Sequence, residues 1–438
     1  MTLDTALLHT LAEKVGTPFW LYDAGAIRKR IADVRFLTNT EGLQPRYAMK
    51  ACSAAKVLGE MKQHGIWIDA VSGNEVLRAL RAGHTAGNEP PVICFTADVF
   101  RDDALKVILE HQVLPNLGSP GMIAQLAGTG YSGPVSLRVN PGFGHGHVNA
   151  CDTGGPSSKH GIWLDDLEAA ADAAERAGMR VTMLHAHIGS GAEFQELCDN
   201  LARLTTEFVD LIPRFSHAAG VSLGGGIPHN YRDPHADIPL EALRNLFAEC
   251  REKLCAAARR PLRLEIEPGR YYVAPGCALI TRVADIKTTR TNEKGRGAKF
   301  AMVDAGFVDL VRPAMYGSFH RIELVGRTPD PTGPLEEYVV AGPLCESGDI
   351  FTQDDAESLV PRSLPTLEPG DLLALRDAGA YGYTMSSNYN SIGRAPQLWL
   401  EEDGTVAMIS RRETIDDLVD LEMELPVMPD PARRRVGF

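Results

Sequence analysis

Between about residues 45 and 270, short apolar, β-rich runs recur, and each is followed by a stretch whose apolar residues stand three and four apart. Eight such runs are present: RYAMK (46–50), IWIDAVS (66–72), VICFTA (92–97), VLPNLG (113–118), VSLRVN (135–140), RVTMLHAHIG (180–189), VSLGGG (221–226) and LRLEIEPG (262–269). Helix-like stretches such as NEVLRALRAG, LDDLEAAADAAERAG and LEALRNLFAECREKLCAAA separate them. Eight βα units in about 225 residues match a closed barrel, whereas an open doubly wound sheet more often stops at about five to seven strands. After residue 275 the rhythm changes to β-rich runs without crossover helices, from ALITRVADIKTTR to TVAMISRR. The expected fold class is α/β: a TIM-like (β/α)8 barrel over 26–275, plus a C-terminal antiparallel β domain. PFWLYD (18–23) is a β-like run ahead of the first barrel unit, so residues 1–25 are grouped with 276–438. ETIDDLVDLEMEL near the end is a helix candidate.

Composition narrows the partners. The chain has 438 residues, enough for two or three compact units, and 57 acidic against 44 basic side chains give a net charge of −13. No basic block stands out to neutralise a phosphate backbone, so nucleic acid is not an expected partner. No run of about 18 apolar residues exists, so no membrane-spanning helix is expected. The opening MTLDTALLHTLAEKVG lacks the basic region, apolar run and cleavage site of a secretory signal, which points to the cytoplasm. The eight cysteines are scattered without a CxxC pair, so neither a zinc ribbon nor a disulfide framework is indicated.

In a (β/α)8 barrel the site lies where the strands end. The first run ends in Lys50, the second carries Asp69, the fifth Arg138, and the sixth His185 and His187 followed by Gly189, Ser190 and Gly191. The seventh ends in Gly224, Gly225 and Gly226, and the eighth in Glu267, Pro268, Gly269 and Arg270. Glycines after the last two strands fall where such barrels often hold a phosphate on bare backbone N–H groups, with Arg270 and Ser190 adding side-chain donors. A phosphate site facing a barrel-mouth lysine suggests pyridoxal 5'-phosphate, whose aldehyde joins Lys50 while Glu267 keeps the pyridine nitrogen protonated and His187 stacks on the ring. The bland reading of each feature alone is a flexible turn or a surface ion-pair lysine.

His185 and His187 share a strand face and raise the question of a metal pair, but no third ligand has a defined spacing, and no metal is expected. The loop 141–161 carries His145, His147 and His160 among glycines and serines and reads as a lid or site wall. Its GxGxG-like stretch starts no helix and is no dinucleotide fingerprint. In the C-terminal half, Arg312, Tyr316, Cys345, Glu346 and Tyr381 interrupt β-like runs and form a set suited to a zwitterionic amino acid: a cation for carboxylate, a carboxylate for ammonium, a thiol for proton transfer. The competing reading is a structural salt bridge between Arg312 and an acidic group.

YAMKACS, HAHIGSG, LGGGIP, EPGRYYV, RPAMYGS, GPLCESGDIF and GAYG…MSSNYN together resemble the alanine-racemase-fold pyridoxal-phosphate decarboxylases, and within them the diaminopimelate decarboxylase family. The resemblance spans almost the whole chain, and GFGHGH…TGG…SKHGIW is similar to the branch found in enteric-type bacteria. It implies that Lys50 is the Schiff-base lysine, that His187 stacks on the ring and that Glu267 meets the pyridine nitrogen. It further implies that Ser190, Gly224, Gly225, Gly226, Gly269, Arg270 and Tyr381 surround the phosphate. Arg312, Tyr316 and Glu346 would recognise substrate, and Cys345 would give the α-carbon its proton. The family pairs as homodimers in which the segment carrying Cys345 and Glu346 enters the neighbour's barrel mouth. One departure is Ala51-Cys52 after the lysine, where many relatives have Ala-Asn and the enteric-type branch has Ala-Cys.

The expected activity is decarboxylation of meso-2,6-diaminopimelate at its D-centre to give L-lysine. The alternatives are decarboxylation of another amino acid, such as D-lysine or D-ornithine, by the same chemistry, and a non-catalytic cofactor carrier. The substrate-like cluster in the second domain speaks against a mere carrier.

Overall fold

A computed structural model describes residues 4–144, 153–189, 193–233, 236–293, 295–326 and 334–423. The first extended segment, β1 (Phe19–Asp23), lies outside the barrel. The eight apolar runs become β2 (Leu43–Ala48), β3 (Trp67–Ala70), β4 (Ile93–Thr96), β5 (Leu114–Leu117) and β6 (Pro134–Asn140), then, past the two-residue β7 (Ile162–Trp163), β8 (Arg180–His185), β9 (Gly220–Ser222) and β10 (Arg263–Ile266). Each of the eight pairs in parallel with its neighbours in the order β2, β3, β4, β5, β6, β8, β9, β10, and β10 returns to β2. The sheet therefore closes into a barrel. Strands β4 and β5 are buried at every position, as expected when side chains fill the inside and helices cover the outside.

Seven longer helices follow barrel strands, from Ala55–Gln63 to Leu240–Ala258. After β10 there is only the short turn Arg270–Val273, and helix Ala24–Leu37, which precedes β2, packs against both that turn and Leu240–Ala258. The outer ring is thus completed by a helix from ahead of the barrel. Local sequence sets where helices begin: Asp23, Ser72 and Ser119 each accept a hydrogen bond from a first-turn backbone N–H at 3.0, 3.1 and 3.2 Å, and Pro120 follows Ser119.

The second sheet holds β1 with β11 (Cys277–Thr288), β12 (Lys299–Val303), β13 (Ile322–Val325), β14 (Leu335–Ala341), β15 (Arg362–Pro365), β16 (Leu372–Leu375), β17 (Gln397–Leu400) and β18 (Val406–Ser410). PFWLYD does join it, antiparallel to β11 with Phe19 opposite Ile280. The sheet is mostly antiparallel, but β1 runs parallel to β17 and β12 parallel to β14. The physical reason is that neither pair is joined by a hairpin; long connections let strands return in the same direction. The terminal helix candidate forms only Ile415–Val419, started by a reciprocal Thr414–Asp417 cap, and its end beyond residue 423 lies outside the described residues.

Inside the barrel, Arg46 on β2 and Glu265 on β10 are both fully buried and paired, with Arg46 Nε donating to Glu265 Oε2 at 2.5 Å. Arg46 also donates to the carbonyls of Ile68, Pro91 and Val92, and Arg263 Nε donates to the other Glu265 oxygen at 2.6 Å. Burial would raise the Glu265 carboxyl, yet Arg46 and then Arg263 hold it below the usual range, so it stays charged. Breaking one side of such a pair leaves a buried charge short of its partner. Arg46→Met should lower the unfolding free energy by about 3 kcal/mol or more in denaturant titration, and Arg46→Met with Glu265→Leu by less. A single-variant loss under about 1 kcal/mol would contradict this role.

Candidate active site

Lys50 stands in a single helical turn, Met49–Ala51, that follows β2. Met49 and Ala51 are buried and Lys50 is exposed, so the chain delivers one amine to the barrel mouth at the end of a buried strand. One cavity there is lined by Ala48, Lys50, Asp69, His187, Gly225, Gly226, Ile227, Glu267, Gly269, Arg270 and Tyr381. Lys50 also opens on a larger cleft of about 810 Å³ whose walls include Cys52, Glu75, Arg78, Tyr383 and Arg394. The last four were not expected from sequence.

Glu267, just beyond β10, is 5% exposed. It accepts from Ser222 Oγ at 2.7 Å through one oxygen, and His185 Nε2 lies 2.9 Å from the other. Burial works to protonate it, but His185 and then Ser222 outweigh burial and keep the carboxylate ionised, well below its ordinary value. His185 is therefore a brace for Glu267. The pattern HAH placed both imidazoles on one face, but nothing in spacing alone distinguished a carboxylate partner from a metal.

Asp69 follows the opposite course. It is buried at the end of β3, its Oδ1 has no hydrogen-bond partner among the described residues, and burial together with the charge on Glu267 raises its pKa strongly. Two carboxyls thus share one cavity in different protonation states. His187 is pushed well below its ordinary value by burial, then by the charges of Lys50 and Arg138, so its imidazole is neutral. Its Nδ1 accepts from the Gly225 backbone N–H at 3.2 Å, which fixes the ring's tilt.

Two glycines carry the close packing of this rim. A Cβ at Gly224, where φ is +71°, would stand 2.5 Å from the Ala186 oxygen, and one at Gly269 would stand 2.9 Å from the Ala48 oxygen. Any side chain there would push strand ends apart.

Arg138 is not part of the lining. It is buried, 3.9 Å from Asp98, whose carboxylate also pairs with His160 at 2.8 Å and Lys159 at 3.2 Å. His160 therefore belongs to an ion-pair cluster. Ser190, His145 and His147 lie outside the described residues. Among the described residues there is no group of three or more His, Cys, Asp or Glu side chains placed to hold a metal, and none of the helices is long and apolar enough to cross a membrane.

Arg312 opens the turn Arg312–Tyr316 and is 2% exposed. Its Nη1 lies 3.0 Å from His320 Nε2, its Nη2 donates to Ser318 Oγ at 3.2 Å, and its guanidinium sits 5.0 Å from the Tyr231 ring centre. Arg270 donates to Tyr231 Oη at 2.9 Å and lies 5.0 Å from the Tyr381 ring centre. Arg270 and Arg312 thus gather around Tyr231, which sequence reasoning passed over inside GGGIPHNY, and Tyr381 lies against Arg270. Tyr316 is partly buried on the Arg312 turn, whereas Cys345 and Glu346 are exposed and do not line the Lys50 cavity.

Similarity to known proteins extends over nearly the whole chain. Residues 24–274 match the family described as pyridoxal-dependent decarboxylase, pyridoxal binding domain. The diaminopimelate decarboxylase of Escherichia coli strain K12 is 41% identical over 422 residues, covering 95% of this chain and 96% of that protein. A crystal structure of diaminopimelate decarboxylase superposes with a TM-score of 0.87 at 40% identity, covering 96% of each chain. The Helicobacter pylori diaminopimelate decarboxylase complexed with L-lysine does so with a TM-score of 0.81 at 27% identity, covering 94% of this chain and 98% of that one.

Asp69 supplies a test of the electrostatics. Its pKa is higher folded than unfolded, so between the two values the folded state binds more protons and stability falls as pH rises. In cofactor-free protein, the wild type should lose roughly 1–3 kcal/mol between pH 5 and pH 8 that Asp69→Asn retains, read by denaturant unfolding at both pH values. Equal pH slopes for the two proteins would show that Asp69 is not held protonated.

Proposed function

Because the chain belongs to the diaminopimelate decarboxylase family of pyridoxal-dependent decarboxylases, we propose that it releases the D-centre carboxyl group of meso-2,6-diaminopimelate as carbon dioxide and yields L-lysine, the last step of lysine biosynthesis. The observation that carries this reading is one cavity lined by the Lys50 amine, the neutral His187 imidazole and the braced, ionised Glu267.

That donor set fits pyridoxal 5'-phosphate. Lys50 would bind its aldehyde carbon, Glu267 its pyridine nitrogen, and His187 its ring face, while Asp69 Oδ1 offers an unused polar atom in the same wall. The backbone of Gly224, Gly225, Gly226 and Gly269, with Ser190, Arg270 and Tyr381, would hold the phosphate. When bound, the cofactor supplies a protonated, conjugated ring that accepts the electron pair left behind as carbon dioxide departs. An ionised Glu267 would keep the proton on that ring nitrogen, and His185 with Ser222 keep Glu267 ionised. Lys50, exposed in the mouth, is placed where an incoming amine can take its position.

Arg270, Arg312 and Tyr316 would bind the carboxylate of the substrate's distal L-configured head, and Glu346 its ammonium, with Cys345 protonating the α-carbon. Exposure of Cys345 and Glu346 on a loop away from their own chain's Lys50 supports a homodimer in which that loop completes the partner's site. In this reading residues 26–275 bind cofactor, residues 1–25 with 276–438 bind substrate and dimerise, and the enzyme works in the cytoplasm.

Cofactor-loaded protein should release carbon dioxide and L-lysine in equal amounts from meso-diaminopimelate, and little from D-lysine or D-ornithine. A site built to pair charged groups rejects molecules that leave them unmatched. Glu346→Ala should reduce kcat/KM for meso-diaminopimelate by more than about tenfold in the same assay. Comparable turnover of D-lysine, or wild-type kinetics from Glu346→Ala, would contradict the substrate reading.

A further inference from the structure

We propose that Tyr231 is a positioning residue for substrate binding: its hydroxyl and ring together set Arg270, from the barrel, and Arg312, from the second sheet, as one paired site for a substrate carboxylate. The inference deepens the proposed function and rests on it for the identity of the substrate.

Tyr231 lies in the loop after β9, between the two units that supply the arginines. Its Oη accepts from Arg270 Nη1 at 2.9 Å, and its ring centre is 5.0 Å from the Arg312 guanidinium, within reach of a cation–π contact. Two imidazoles fix the ring itself. His229 meets it edge-on at 4.8 Å and His320 at 5.4 Å. Burial and the charge of Arg312 push His320 down to about 3, so it is neutral. Its Nδ1 lies 2.9 Å from the Arg376 carbonyl oxygen, which requires the proton on Nδ1 and leaves Nε2 to accept from Arg312 Nη1 at 3.0 Å. Arg312 is thereby held by an imidazole on one side and the Tyr231 ring on another.

Two guanidiniums around one ring repel each other. The phenol answers that repulsion: burial works to raise its pKa, yet Arg270 and Arg312 bring it below the ordinary tyrosine value. Electron density on Oη and on the ring face offsets part of both charges, and an incoming carboxylate would offset more. A tyrosine does this where phenylalanine would keep the ring faced by both guanidiniums, at 5.0 Å from Arg312 and 5.8 Å from Arg270, but lose the acceptor for Arg270.

The test compares holoenzyme variants Tyr231→Phe, which keeps the ring, and Tyr231→Leu, which removes ring and hydroxyl. The expected result is a KM for meso-diaminopimelate raised about tenfold by Phe and further by Leu, with kcat changed much less. Cofactor absorbance and melting temperature of Tyr231→Phe should match the wild type. A second readout is calorimetric binding of pimelate, the dicarboxylate with the substrate's carbon skeleton, which should weaken in the same order. The inference is overturned if Tyr231→Phe lowers kcat at unchanged KM, if it lowers the melting temperature while KM holds, or if pimelate binds the variants as it binds the wild type. Should the wild type release no carbon dioxide from meso-diaminopimelate, the functional reading fails, and the pimelate series still decides for or against the arginine pair.

Discussion

The pairing of β10 with β2 closes the barrel, and the site exists because of it. Lys50 and Glu267 are more than two hundred residues apart in sequence and become neighbours only when the last barrel strand lies beside the first. The register is held below the mouth by the buried Arg46–Glu265 pair, one member on each strand. At the mouth the chains approach so closely that only glycine is tolerated at position 269. A long-range strand pairing has thus become a short-range juxtaposition of amine and carboxylate.

Electrostatic contrast then turns that juxtaposition into chemistry. Glu265, Glu267 and Asp69 are all buried, yet their partners differ: two arginines for the first, an imidazole and a hydroxyl for the second, and an orphaned oxygen on the third. The first two remain charged and Asp69 is driven toward its neutral form. A charged carboxylate beside a neutral acid in one cavity is an environment that water would not sustain. Across the mouth, Arg270 and Arg312 repeat the theme with positive charge, softened by Tyr231 and by a neutral His320.

Much of this was legible in the sequence. Alternating apolar runs and 3.6-residue periodicity located all eight barrel strands, since each segment carries its own burial pattern. PFWLYD was placed with the later sheet because it lies outside the βα rhythm. What failed to show was relative direction and partnership. The parallel pairs β1–β17 and β12–β14 depend on how long connections return, which no local pattern encodes. His185 was read as a metal question, because a histidine beside a histidine looks alike whether its partner is an ion or a glutamate from a strand 82 residues away. Arg138 stands on the fifth barrel strand as its run indicated, but its pairing with Asp98 was not visible in the sequence. Tyr231 sits in a loop without periodicity, and only the fold brings Arg270 and Arg312 to it.

The proposed chemistry depends on the Lys50 amine carrying the cofactor. Borohydride treatment of the yellow, cofactor-loaded protein followed by peptide mass mapping tests it directly. One peptide, containing Lys50, should be heavier by a single reduced pyridoxyl phosphate, with loss of colour. A modification on a different lysine, or colour lost with every lysine unmodified, would contradict it.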